Sequence, residues 1–382
     1  MTTNSPRVPY VQSAGSLDVP PPYHFPGVTV NAFVWEAQMS AVQDYCDRFL
    51  NLGTPEERGF TYKPAPFWPY ATLLFLDYPV MISSNPAPQD MGEVPYGDRG
   101  IVSQTEVLVS LPVVRYGLGA DRLVTESELE CALPFIVVGN PMSAVCGREM
   151  LGLGKLLAEI KTGEGRYPDS FLGTVDLPGW SEMRTGVEQQ MLRFITAETG
   201  PALPSFRTSN PARSLATLLQ SREAGWMMDG MASLSNLVDS ASAGLIPTTM
   251  RTVGLKQYRD AHDTGRAVYQ ALVTCRSRYS NLRDFRFYDE KDAVITANCE
   301  GSFQEILEVF LDVGSVPTGT RLHTRPAAAF RFMADIDFDS TRVIHRFAVD
   351  GPPGHPPTPA QSDLTARWFR PLKGLFTAEP RR

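Results

Sequence analysis

Lysine is scarce in this chain: six occur among 35 basic side chains, so a lysine in an apolar setting stands out. Lys155 is such a residue, flanked by Leu151, Leu153, Leu156 and Leu157 in LGLGKLL. An amine attacks a carbonyl only when it is neutral. The ordinary lysine pKa of about 10.4 leaves almost none in that form at pH 7. Burial among apolar groups, or a second cation nearby, lowers that value. In a strand, Leu153 and Leu157 would share the face of Lys155 and desolvate it. The residue types therefore suit a lysine that forms an imine. The ordinary alternative is a lysine that snorkels from the edge of a core to water.

Other chemistries find less support. GLGK at 152–155 looks like a phosphate loop, but Glu149 stands where its first glycine would be and Leu156 where Ser or Thr would hold magnesium. There is no GxGxxG at a strand-to-helix turn, no GxSxG and no HExxH. The five histidines are scattered without ligand spacing, so no metal is expected. The five cysteines include no CxxC pair, which disfavours a disulfide framework and points to a reducing compartment. A net charge of -7 disfavours a nucleic-acid partner. The first residues, MTTNSPRVPYVQ, lack the charged-then-apolar pattern of a leader. No apolar run approaches the roughly 20 residues of a membrane helix. The expectation is a cytoplasmic protein without a membrane partner.

The elements that must position Lys155 are mainly strands. Residues 28–36 read as a strand, and Met39, Val42, Cys46, Phe49 and Leu50 give a helix over 38–50. Segments 71–82 and 105–114 are β-rich. LPFIVVG (133–139) reads as a buried strand ended by the turn pair Asn140-Pro141. Strands are expected at 155–161 and 171–177, then again at 252–258, 266–276 and 292–299. Strict alternation of Phe330, Phe332, Ala334, Ile336 and Phe338 marks another strand. Residues 208–245, rich in Ala, Leu and Ser, read as a helical insertion that serves as a lid or an oligomer contact. The pattern predicts an α+β fold, a mainly antiparallel, barrel-like β-sheet. The domain spans 28–348, between an extended arm at 1–27 and a Pro-rich tail at 349–382.

Residues 134–160, PFIVVGNPMSAVCGREMLGLGKLLAEI, resemble the acetoacetate decarboxylase superfamily. They present a buried strand, then Gly147-Arg148-Glu149, then a short apolar stretch, then Lys155 with Leu157 and Ala158 beyond it. Gly173, Thr174, Val175 and Asp176 match a following Gly-Thr-x-Asp strand. QTEVLVSLPV (104–113) resembles the strand that bears an acidic pocket residue; LKQYRDA (255–261) and VYQALV (268–273) resemble later strands of longer members. The resemblance runs over about residues 28 to 345.

The resemblance implies a Schiff-base lyase in which Lys155 is the nucleophile and Glu106 the proton-managing acid, with Asp98 of YGDRG as its rival. For Glu106, the alternative is a charge on the solvent face of an amphipathic strand. Arg148 and Glu149 would pair and brace the loop that presents Lys155. Lys256 and Arg259 would bind a substrate carboxylate, or else lie at a solvated strand edge. No cofactor is implied, because the lysine iminium is itself the electron sink. The partner would be a small keto acid or ketone, and the assembly a homo-oligomer. Decarboxylation of a β-keto acid is one outcome; aldol chemistry or dehydration is another, and a non-catalytic binding pocket is the third.

The chain also departs from the family pattern. Leu156 follows the lysine where the decarboxylase has a second lysine, and Gly154 precedes it in place of proline. The first strand lacks an arginine for a keto-acid carboxylate. The hairpin after Glu106 is long, with an expected acidic tip at Glu126, Glu128 and Glu130. These departures weigh against acetoacetate as the substrate.

Overall fold

The computed structural model describes residues 19–66, 68–84, 102–119, 123–182, 184–203, 248–289, 291–299, 320–348 and 377–378. The insertion at 208–245, Asp98 and nearly all of the tail lie outside the described residues. Sixteen strands are described: β1 (Tyr23–Glu36), β2 (Phe60–Pro64), β3 (Tyr70–Ser83), β4 (Val102–Leu118), β5 (Val124–Val138), β6 (Lys155–Leu157), β7 (Glu159–Gly163), β8 (Leu172–Gly179), β9 (Gln190–Glu198), β10 (Thr248–Arg259), β11 (Ala267–Phe287), β12 (Val294–Cys299), β13 (Thr320–Thr324), β14 (Ala328–Phe338), β15 (Arg342–Arg346) and β16 (Thr377–Ala378). The helices are short: α1 (Met39–Tyr45), α2 (Pro55–Arg58) and α3 (Pro141–Cys146). A π turn extends α1 through Cys46–Leu50, and another extends α3 through Gly147–Leu151.

The larger sheet runs β2-β4-β3-β1-β14-β11-β10-β5-β6. Because β4 pairs β5 as well as β3, the hydrogen-bonded path returns on itself. The smaller sheet runs β16-β13-β12-β9-β8-β7. The fold is α+β and mainly antiparallel β; the pairings of β5 with β10 and with β6 are parallel.

Strand β1 is buried on both faces, which its continuous apolar run requires. Phe33 meets Phe75 and Phe171 at ring-centroid distances of 6.1 and 5.9 Å, in the core that joins the two sheets. Val28 and Val30 belong to a second core with Leu76, Leu108, Ile136, Leu153 and Ile336. That second core surrounds Lys155.

Strand β1 begins at Tyr23 rather than at residue 28, inside the segment expected as an extended arm, of which residues 1–18 lie outside the described residues. An extra residue between Phe25 and Val28 makes a bulge, with Gly27 at φ 72°. The bulge resets the two-residue alternation. Tyr23 and Phe25 thereby fall on the same core as Val28 and Val30.

Two other expectations need correction. Asn140-Pro141 does not make a simple turn: Asn140 caps α3, accepting from the backbone of Met142 at 2.9 Å, and Pro141 takes the first helical position. Glu126, Glu128 and Glu130 are not a hairpin tip but lie within β5, opposite Gly117, Arg115 and Val113 of β4. Arg115 forms ion pairs with all three carboxylates, and the Tyr62 hydroxyl donates to buried Glu130 at 2.7 Å. Arg251 of β10 also pairs with Glu128, at 2.5 Å, so arginines of two neighbouring strands hold these charges inside the sheet.

Candidate active site

Lys155 opens β6, a three-residue strand at the end of the sheet order. It reaches that place by a crossover, which a parallel pair requires. The chain leaves β5, turns through α3 and its π extension, and stops at Gly152 with φ 71°. A β-carbon at Gly152 would stand 2.7 Å from Cβ of Lys256 and from Cγ2 of Val273, so this turn suits glycine both in conformation and in space. The chain then pairs Lys155 with Ile136 and Leu157 with Val138.

This register sets the site. Ile136 pairs with Leu108 of β4, and Glu106, two residues before Leu108, shares its face. Lys155 and Glu106 are each 6 % exposed. Nζ of Lys155 lies 2.6 Å from Oε2 of Glu106 and 3.2 Å from Oγ of Ser143 on α3. The aliphatic stem of Lys155 packs on Gly147, where a β-carbon would sit 2.7 Å from Cε. The Arg148 guanidinium donates to the Lys155 carbonyl at 3.4 Å, tying the crossover to the strand it delivers.

The amine, the carboxylate and the serine line one largely apolar cavity, walled by residues such as Phe25, Leu76, Leu108, Leu153 and Ile336. Tyr78, Tyr279, Gln104, Ser110, Thr252 and Ser277 add polar groups to the wall. Burial, reinforced by the nearby Glu106 charge, pushes the Tyr78 hydroxyl well above its ordinary pKa. Burial likewise raises Tyr279, with added contributions from Cys131 and Glu106. Both phenols therefore stay protonated at neutral pH and can act as donors.

The apolar setting of Lys155 has a different source from the one expected. Leu156 and Leu157 are 48 % and 47 % exposed, because β6 is too short to carry a face and has β5 as its sheet partner. Leu151 and Leu153 of the crossover supply the apolar wall instead. Arg148 and Glu149 are exposed, and no ion pair joins them among the described residues; the Glu149 carbonyl accepts from the Tyr258 hydroxyl at 2.9 Å. Lys256 is outside the cavity wall. Its ammonium lies 5.7 Å from the Tyr258 ring centre, and burial lowers its pKa, partly offset by Glu149. Arg259 is exposed and donates to the Thr264 carbonyl at 2.6 Å, so it too stands away from the cavity. Ser143, Tyr78, Gln104 and Ser277 were not singled out in the sequence. The capping pair Asn140-Pro141 was the available signal for Ser143, and the two-residue spacing from Glu106 was the signal for Gln104.

The fold and the site define a β-rich protein with a primary amine and a carboxylate enclosed together in a cavity. No family model and no curated protein matches the chain. Solved structures with a similar fold include one from structural studies of acetoacetate decarboxylase, with a TM-score of 0.48 and 13 % identity over 87 % of this chain and 93 % of that one. Another is the acetoacetate decarboxylase of Legionella pneumophila subsp. pneumophila str. Philadelphia 1, with a TM-score of 0.43 and 12 % identity over 90 % and 94 %.

Proposed function

We propose that the protein is a Schiff-base-forming lyase that acts on a ketone or keto acid through an iminium on Lys155. The observation that carries this reading is the enclosure of one amine with a carboxylate 2.6 Å away and a hydroxyl 3.2 Å away in a mostly apolar cavity. Glu106 takes a proton from the Lys155 ammonium and frees the nitrogen lone pair. The nitrogen bonds to the carbonyl carbon, and the carbonyl oxygen receives a proton from protonated Glu106 or from Ser143. Loss of water gives the iminium.

The iminium then accepts the electron pair of a neighbouring C–C or C–H bond and becomes an enamine. If the departing group is carbon dioxide, the reaction is decarboxylation. If a second carbonyl compound departs, it is a retro-aldol cleavage; removal of a β-hydroxyl is dehydration. The enamine carbon takes up a proton, with Glu106 or Tyr78 as the nearby acid, and hydrolysis restores Lys155. This carries over the lysine chemistry that the sequence resemblance implies. The buried phenols provide donors that the motif alone did not include.

Borohydride trapping with a panel of ketones and keto acids, followed by peptide mass mapping, tests the proposal. A reduced adduct on the peptide bearing Lys155, absent from Lys155→Ala, is the expected result. Absence of an adduct with every compound, together with turnover that survives Lys155→Ala, would refute imine catalysis and leave a binding pocket.

A further inference from the structure

Two polar atoms in the wall of the Lys155 cavity are not used by the chemistry proposed above. Oε1 of Gln104 and Oγ of Ser277 are both buried without a hydrogen-bond partner among the described residues. Gln104 is 7 % exposed and Ser277 1 %. They come from different strands, β4 and β11, yet both line this cavity. A buried polar atom left without a partner forfeits its hydration with nothing in return, so such atoms are rare unless something else satisfies them.

Their placement is regular. Gln104, Glu106, Leu108 and Ser110 alternate along β4 and all face the cavity. Gln104 lies opposite Tyr78, and Glu106 opposite Leu76, on β3. On β11, Ser277 pairs with Met250 and Phe338, both cavity residues. Gln104 and Glu106 are two residues apart, roughly 7 Å along the strand. The unpartnered amide is therefore displaced along the cavity from the amine-carboxylate pair.

We infer that Gln104 and Ser277 form a neutral polar subsite that binds a hydroxyl group of the substrate, several bonds from the carbonyl that Lys155 attacks. This deepens the imine reading and rests on it for the position of the carbonyl. A hydroxyl both donates and accepts, as the amide and the serine do, so it satisfies them in any of their rotamers. A carboxylate can only accept, so it would use the Gln104 amide N–H or the Ser277 hydroxyl alone and would bring a further charge into a mostly apolar cavity. Among the described wall residues the charged groups are Lys155 and Glu106, already paired with each other at 2.6 Å. The substrate class is thus an uncharged hydroxy-ketone or hydroxy-aldehyde with an otherwise apolar body.

The test uses the full-length protein and three ketones of matched length: 5-hydroxypentan-2-one, hexan-2-one and 4-oxopentanoate. Equilibrium binding and borohydride trapping are measured for each. The hydroxy-ketone should bind about tenfold more tightly than the alkyl ketone, the size of one net hydrogen bond. It should also exceed the carboxylate. Gln104→Leu and Ser277→Ala should each reduce the hydroxyl-to-alkyl ratio toward one. Equal binding of hydroxy and alkyl ketones, preference for the carboxylate, no binding of any probe, or a ratio unchanged in both variants overturns the subsite. Hydroxyl-selective binding with no trapped adduct would uphold the subsite and refute imine formation; an adduct without selectivity would do the reverse.

Discussion

Replacing Gly147 by alanine adds one methyl group directly over the stem of Lys155. The new carbon would overlap Cδ and stand 2.7 Å from Cε and 3.0 Å from Cγ. Ordinary carbon–carbon contact is about 3.5–4.0 Å, so the stem must move by roughly 1 Å. The clash falls in the middle of the side chain rather than at its free end. The displacement therefore reaches Nζ and its 2.6 Å contact with Glu106. Overpacking of this kind is unfavourable by about 1–3 kcal/mol. Gly147 has helical backbone angles, φ -61° and ψ -43°, so alanine should recover up to about 1 kcal/mol through helix propensity. The net loss of stability is about 0–2 kcal/mol, which leaves the protein folded, whereas a misplacement of about 1 Å in a reacting group can reduce rate about a hundredfold. Adduct formation under borohydride should therefore fall by about that factor in protein that the urea titration shows to be fully folded. Gly154→Ala is the control, because a β-carbon there meets nothing within 4 Å. Wild-type trapping by Gly147→Ala, or an equal loss in Gly154→Ala, would refute the reasoning.

Lys155→Met leaves the Glu106 carboxylate buried without its cation and should destabilise the fold by about 3–5 kcal/mol. Lys155→Met combined with Glu106→Leu should regain most of it in urea titrations, and a double variant no more stable than the single would contradict this. Burial raises the Glu130 carboxyl above its ordinary 4.5, partly countered by Tyr62 and Arg115. The folded state therefore holds this proton more tightly than the unfolded state. The contribution of Glu130 is full below the ordinary value and is lost as pH climbs through the raised one. The urea midpoint of Glu130→Gln should gain on the parent protein as pH rises over that window, and a difference independent of pH would show the sign to be wrong.

The strands nearest the site were legible because their apolar runs are long. LPFIVV and QTEVLVSL both fall within strands, and alternation over 330–338 marks β14. Lys155 and Glu106, far apart in sequence, could be set together only through the family resemblance; the structure brings them within 2.6 Å. Leu156 and Leu157 are exposed although an apolar pair beside a lysine looks, in the sequence, like shared burial. Which side of a three-residue edge strand is covered depends on the crossover, and no local pattern reports that.

The same physics explains why Gln104 and Ser277 went unseen. Alternation of polar and apolar residues along a strand ordinarily means that the polar face meets water. On β4 the polar members Gln104, Glu106 and Ser110 are all buried, because their face lines a cavity. The opposite residues, Val107 and Val109, pack into the core between the sheets. An amphipathic pattern thus has two physical solutions: a strand half in water, or a strand that divides a packed core from an enclosed polar site. Glu130 on β5 repeats the lesson, since its charge is satisfied by Arg115 and Tyr62 inside the structure. What separates the two solutions is closure of the sheet through β4 and β5, a long-range pairing. Where such closure occurs, the polar alternate positions of the strand are where chemistry should be sought, and in this chain those positions hold both the carboxylate at the amine and the unsatisfied amide beyond it.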